Sequence, residues 1–258
     1  MRITVLAENT SCSPDIGAEH GLSLLIESGE KKILFDAGQT ELFYENAVKS
    51  GVDLENVDFA VLSHGHYDHG GGMKKFLEIN KTAPLYLSRH AFGQHYHGTE
   101  RYIGLDPELK KCERLVFTDG DFRISENMTL YSPMNKVQPS LAGGTGMNVR
   151  TEDGFFVDSF RHEQYLVIEE NGKRYLFSGC SHSGILNAVE WFAPDVLVGG
   201  FHLSKIDSAE YLLNLADRLD GYDTEFYTCH CTGVMQYETM KKRMRNLNYI
   251  SAGTVIEI

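Results

Sequence analysis

The sequence predicts an α+β fold built from two strand-rich halves, and three observations carry that expectation. Residues 1–6 read as a strand, and 21–28 and 32–36 repeat the pattern across the turn pair Gly29-Glu30, so the chain opens as a β-meander. The pattern restarts near residue 164, where two strand runs flank Asn171-Gly172, the dipeptide best suited to a two-residue hairpin. Strand and helix patterns then alternate in both halves. With 258 residues, 42% of them apolar, and 14 Phe and 13 Tyr, the chain can bury a sizeable core. It reads as a single domain over residues 1–258, with loop insertions around 89–121 and 135–161.

After the meander, Asp36-Ala37-Gly38 ends the third strand tightly. Residues 41–50 space Leu42, Phe43, Ala47 and Val48 as on a helix, and Gly51 follows as the residue that closes it. Residues 57–62 read as a buried strand, Gly70-Gly71-Gly72 permits close backbone approach, 73–79 read as a helix and 84–88 as a strand. Residues 89–121 mix His, Tyr, Lys and Gly without a period, and Gly143-Gly144-Thr145-Gly146 lies in a similar stretch. Such segments in a compact fold are expected to be functional loops. Beyond the hairpin, 195–200 and 224–228 read as strands, with a helix over 209–220 between them.

The formal charge of −12 repels a polyphosphate backbone, so no nucleic-acid partner is expected. A small anionic substrate remains compatible, because local cations dominate the field inside a pocket. No apolar run approaches the ~20 residues of a membrane span, so no membrane partner is expected. Cys12, Cys112, Cys180, Cys229 and Cys231 are odd in number and lack the density of a disulfide scaffold. Residues 1–6 carry no signal-peptide architecture. Together these predict reduced thiols and a cytoplasmic protein.

The most informative segment is Ser63-His64-Gly65-His66-Tyr67-Asp68-His69, directly after the apolar run Phe59-Ala60-Val61-Leu62. Imidazole nitrogen and carboxylate oxygen are ligands for borderline and hard divalent cations. His64 and His66, two apart in an extended loop, can point the same way, while Asp68 and His69 project from the next turn. One loop can then serve two ions a few ångströms apart. Strands entering and leaving the central hairpin end on one rim, which brings His162 toward Cys180.

His-x-His-x-Asp-His after a buried strand resembles the signature of the metallo-β-lactamase superfamily. The resemblance implies a four-layer αββα sandwich with a one- or two-metal site on one rim. His162, then a hairpin, then Phe177-Ser178-Gly179-Cys180 is similar to the family's third His followed by a bridging Asp or a metal-binding Cys. His230, inside Cys229-His230-Cys231-Thr232-Gly233, is similar to its final His. The implied assignment is His64, His66 and His162 on one metal, and Asp68, His69 and His230 on the other, with Cys180 nearby. Asp68 would orient a reacting water. His182 and His202, at strand ends expected on the same rim, are candidates for substrate contact or proton transfer, and either can replace His162 or His230 as a ligand. Cys229 and Cys231 flank His230 and can compete for metal. The cluster His90, His95 and His97, with Arg89, Tyr96 and Arg101, either lines a pocket or faces solvent. His20 offers nothing beyond exposure.

Two such cations lower the pKa of a bound water to roughly 7, polarise an acyl or phosphoryl oxygen and neutralise a leaving anion. Zinc leads the expected metals, with manganese, iron and magnesium also compatible. Three further segments, Gly179-Cys180-Ser181-His182-Ser183-Gly184, Gly199-Gly200-Phe201-His202-Leu203 and His230-Cys231-Thr232-Gly233, stand alongside His162-Glu163-Gln164. Taken together they resemble the branch of dihydropterin–ribofuranosylaminobenzene 5'-phosphate synthases and related metal-dependent hydrolases. That branch implies hydrolysis of, or diphosphate departure from, a small phosphorylated substrate. A non-catalytic metal-binding protein is the contrasting reading, and a homodimer is compatible by analogy.

Overall fold

The computed structural model describes residues 1–136 and 146–258, so of the second glycine-rich stretch only Gly146 falls within it. Strands β1 (Arg2–Ala7), β2 (Ser23–Ser28) and β3 (Lys31–Phe35) form the expected antiparallel meander. Helix α1 (Leu42–Lys49) follows and closes at Gly51, whose φ of +67° a side chain would resist. Then come β4 (Phe59–Val61), the single turn α2 (Tyr67–Gly70), α3 (Met73–Ile79) and β5 (Leu85–Ser88). The middle of the chain holds β6 (Gln94–His97), β7 (Arg101–Tyr102), β8 (Leu115–Thr118), β9 (Phe122–Arg123) and β10 (Met128–Tyr131). It continues through β11 (Met147–Thr151) and β12 (Gly154–Val157). The hairpin β13 (Tyr165–Glu170) and β14 (Lys173–Ser178) turns through Asn171 and Gly172, both at positive φ as a type I′ turn requires. The chain then runs through α4 (Ile185–Phe192), β15 (Val196–Gly199), α5 (Ala209–Leu219), β16 (Glu225–Thr228) and α6 (Val234–Lys241). It finishes in β17 (Leu247–Tyr249) and β18 (Val255–Glu257).

Alternation along the strands makes both faces of each large sheet apolar. The first sheet has the order β18-β1-β2-β3-β4-β5-β8, the second β17-β16-β15-β14-β13-β10-β9. Between them Ile3, Val5, Phe35 and Val61 of one pack on Leu130, Leu166, Phe177 and Val198 of the other. The Phe35 and Phe177 rings lie 6.1 Å apart across this layer. Leu34, displaced by one residue from Phe35, points the other way and joins Phe43 of α1 and Phe76 of α3. On the far side Leu176 and Leu197 meet Ile185, Leu215 and Met240 of α4, α5 and α6. The result is the four-layer αββα sandwich that the sequence led us to expect. Among the described residues no helix is long and apolar enough to cross a membrane.

Strands β3 and β4 are parallel in the first sheet, and β14, β15 and β16 are parallel in the second. Their carboxyl ends therefore open on one rim, the usual place for ligands in parallel sheets. Residues 89–121 differ from the expected loop. They hold β8, which extends the first sheet beside β5, and β6 and β7, which join β11 and β12 in a separate four-stranded sheet of order β12-β11-β6-β7. Gln-His-Tyr-His has no apolar alternation, and this pairing joins residues as far apart as Gln94 and Arg150, 56 positions along the chain.

Candidate metal centre

The loop after β4 is held from beneath by Asp36, which sits at the end of β3 in left-handed backbone, φ +59°. Its carboxylate is fully buried and accepts three bonds of 2.7 Å: from Ser63 N–H, from the Ser63 hydroxyl and from His69 Nδ1–H. Because the Ser63 hydroxyl spends its proton on Asp36, its oxygen is left to accept from His64 Nδ1–H at 2.9 Å. Both imidazoles are thereby fixed with an Nε2 lone pair facing the cleft. Close packing keeps the loop low: a side chain at Gly65 would collide with Ala91 O, and one at Gly179 with Ser63 Oγ.

His230 is prepared in the same manner from the other sheet. Glu8, fully buried, accepts its backbone N–H at 2.6 Å, and Asn9 Oδ1 accepts its Nδ1–H at 2.8 Å. Asp36, Ser181, His202 and His230 all occupy positive φ, strain of the sort that gathers at functional sites.

The prepared nitrogens converge. His69 Nε2 stands 3.2 Å from His230 Nε2 and 3.2 Å from Cys180 Sγ, with Asp68 Oδ2 at 3.9 Å from the first nitrogen and 3.5 Å from the second. His64 Nε2 stands 3.3 Å from His182 Nε2, and donor atoms of His64, His66 and His182 lie within 4.8 Å of one another. Burial, reinforced by neighbouring imidazoles, pushes the pKa of His64, His66 and His182 far below the usual histidine range, so all three are neutral donors. At His69 burial opposes protonation, but Asp36 and Asp68 outweigh it and draw positive charge to that nitrogen. Burial likewise opposes ionisation of Asp68, yet His69, His20 and His230 hold its carboxyl well below the normal range. With His69 neutral, two lone pairs facing each other at 3.2 Å repel unless a cation lies between them; a proton drawn there by Asp36 and Asp68 fills that place in the metal-free protein, and the imidazole, thiol and carboxylate donors around it fit a divalent metal.

His162 lies beside the two histidines it was expected to join, its ring 5.1 Å from that of His66 and 5.9 Å from that of His64, and its donor atom shares a group within 4.8 Å with those of His66, His95 and Asp158. Its Nδ1 accepts from Gly65 N–H at 2.9 Å, which puts the ring proton on Nε2, where it donates to Asp158 Oδ2 at 3.3 Å. Both nitrogens thus have hydrogen-bond partners, and the ring supports the loop at Gly65, while His182 shares a separate donor group with His64 and His66. Burial leads the causes that bring its pKa to about 4. The next two residues are also structural. Glu163 accepts His182 N–H at 2.6 Å and Ser183 N–H at 2.9 Å, fixing the turn that carries His182, and Gln164 Nε2 donates to Leu62 O across the two sheets.

His202 lies at the partly exposed edge, its ring 4.3 Å from that of His182. Cys180, His202 and Cys231 form another group whose donor atoms lie within 4.8 Å of one another. Burial opposes ionisation of Cys231, but hydrogen bonds to Cys180 and His202 hold its thiol below the usual range. Cys229 is fully buried in the inter-sheet core, and burial pushes its thiol up. Of the His90, His95 and His97 cluster, His95 reaches the centre: its Nδ1–H donates to Asp158 at 2.7 Å, and its Nε2 is buried with no hydrogen-bond partner among the described residues. His20 is the other surprise, with its Nε2 3.1 Å from Asp68 Oδ2. Asp36, Glu8 and Asn9 were not legible in the sequence, since each acts on a histidine brought close only by folding; Asp158 was missed although His162 stands four residues on.

Residues 16–226 match the family described as the metallo-beta-lactamase superfamily. An uncharacterised protein of Methanocaldococcus jannaschii, MJ0448, is 32% identical over 99% of this chain and all of its own length. The 7,8-dihydropterin-6-methyl-4-(beta-D-ribofuranosyl)-aminobenzene-5'-phosphate synthase of the same organism is 26% identical, covering all of this chain and 96% of that enzyme. Among solved structures, Tm1679, a metal-dependent hydrolase of the beta-lactamase superfamily, superposes with a TM-score of 0.84 at 31% identity, over 100% of this chain and 99% of that one.

Proposed function

The chain belongs to the metallo-β-lactamase superfamily, and from that membership we propose that it is a two-metal enzyme acting on a small phosphorylated substrate. One observation carries the proposal: the Nε2 lone pairs of His69 and His230, each fixed by an acceptor on its Nδ1–H, face each other at 3.2 Å with Cys180 and Asp68 alongside. In this reading His64, His66 and His182 hold one cation, and Asp68, His69, Cys180 and His230 hold the other. When bound, the pair supplies Lewis acidity toward a phosphoryl oxygen, an activated water and neutralisation of a leaving anion. The chain's own residues orient that chemistry. Asp36, Ser63, Glu8 and Asn9 set the tautomers, Asp68 accepts a proton-bearing group in the cleft, and His202 at the open edge contacts substrate.

Likeness to the metal-dependent hydrolase Tm1679 supports hydrolysis. The full-length relationship to the synthase supports a second reading, a transferase that releases diphosphate. Chromogenic phosphodiesters and organic diphosphates, incubated with zinc- or manganese-loaded protein, separate the two. Cleavage in water alone marks a hydrolase, diphosphate release only with an added arylamine acceptor marks a transferase, and inertness toward every substrate would sink both.

The ligand assignment has its own test. His182→Ala is expected to lower zinc from near two ions per chain to near one, while His162→Ala keeps both ions and loses thermal stability through the freed Gly65 loop. Elemental analysis of protein purified without a metal-affinity tag reads the difference, and the reverse pattern would restore His162 as the ligand.

A further inference from the structure

The loop between β1 and β2 supplies no ligand in the assignment above, yet it grips Asp68 twice. Leu22 N–H donates to Asp68 O at 3.2 Å, and a side chain at Gly21 would strike that same carbonyl. The second grip is His20 Nε2 at 3.1 Å from Asp68 Oδ2. The proton on this contact can be assigned. Gly21 N–H, which can only donate, points at Asn9 Oδ1 at 3.2 Å, so the Asn9 amide is oriented with its oxygen toward Gly21 and His230 Nδ1. Its Nδ2–H₂ group is left facing His20 Nδ1 at 3.3 Å. Nδ1 of His20 is therefore the acceptor, its proton sits on Nε2, and that N–H donates to Asp68. One asparagine thus sets two tautomers in opposite senses, His230 with its lone pair on Nε2 and His20 with its proton there.

We infer that Asn9 and His20 form a positioning device for the second cation, with His20 turning the Asp68 carboxylate toward His69 and His230. The inference rests on the two-metal reading. His20 acts through Asp68, and its tautomer excludes it from ligation itself. Hydrogen-bonded partners of this kind orient a ligand before the metal arrives, and their loss costs metal affinity about 10–100-fold. The His20 side chain is 53% exposed, so its truncation leaves the core untouched.

The test strips wild type, His20→Ala, His20→Gln and Asn9→Asp with chelator and titrates each with cobalt(II) against a chromophoric competitor. Wild type is expected to take up two ions in resolvable steps. In His20→Ala the weaker step loses about 10–100-fold in affinity and its visible band changes, while the tighter step stays as in wild type. His20→Gln, whose amide N–H can still reach Asp68, regains most of the loss. Asn9→Asp keeps the acceptor for His230 but loses the donor to His20, and falls between the two. Two ions in wild type with unaltered affinities in His20→Ala would overturn this inference alone, as would equal losses in the Ala and Gln variants. A wild type that takes up a single ion would overturn the two-metal reading itself and the inference with it.

Discussion

Asp68→Ala is expected to bring metal content from near two ions per chain to near one, and to lower turnover by about 10²–10⁴-fold, the range for a positioned proton-transferring group. The side chain lies at the rim, with its carboxylate between His20, His69 and His230 and outside the three apolar layers. Removing it deletes a charge that His69 and His230 both face, without emptying core volume. The melting temperature of the metal-free protein should therefore stay within a few degrees of wild type. Elemental analysis and a thermal melt check both halves of this expectation. Full metal occupancy in the variant would remove Asp68 from the ligands, whereas collapse of the metal-free fold would make its role structural.

Asp36→Ala should behave in the opposite way, because Asp36 organises the site from within the fold. The substitution strands three buried donors: Ser63 N–H, the Ser63 hydroxyl and His69 Nδ1–H. Each stranded donor costs about 1–3 kcal/mol, so the sum is on the order of 5 kcal/mol. Against a total stability of roughly 5–15 kcal/mol, that is enough to leave a substantial unfolded population. His69 also loses the partner that fixes its tautomer, and the Ser63 hydroxyl no longer has a reason to accept from His64. Urea unfolding of the metal-free protein should show a midpoint far below wild type, and metal should restore only part of it. An unchanged midpoint would mean that water or a shifted backbone replaces the carboxylate at little cost.

The contrast between these two aspartates shows what sequence could reveal. Asp68 is legible because it stands within five residues of His64, His66 and His69, and contiguous ligands announce themselves by spacing. Asp36 ends a recognisable strand, yet nothing in Phe35-Asp36-Ala37-Gly38 says that its carboxylate lies under two histidines. Glu8 and Asn9 are more remote still, 222 and 221 residues from His230. His162 shows a different limit. Its position on the rim could be read from the hairpin that follows it, but the tautomer that Gly65 and Asp158 impose on it could not. The meander, the Asn171-Gly172 hairpin and α1, α3 and α5 were readable because their periods and turn residues are local. The four-stranded sheet was not, because β6 and β11 have polar faces and meet across a long excursion of chain.

The distance in sequence between Glu8, Asn9 and His230 also orders events during synthesis. At roughly 5–20 residues per second, about 10–45 s separate the emergence of the two ends of this network. For the last ~8–32 s of that interval, the 161 residues from His69 to His230, a nascent chain carries His64, His66 and His69 without the later partners. His230, which completes the cluster with His69, Cys180 and Asp68, follows β16 and takes its place once that strand has docked beside β15. A cluster completed by His230 therefore takes its final form only in the last stage of folding.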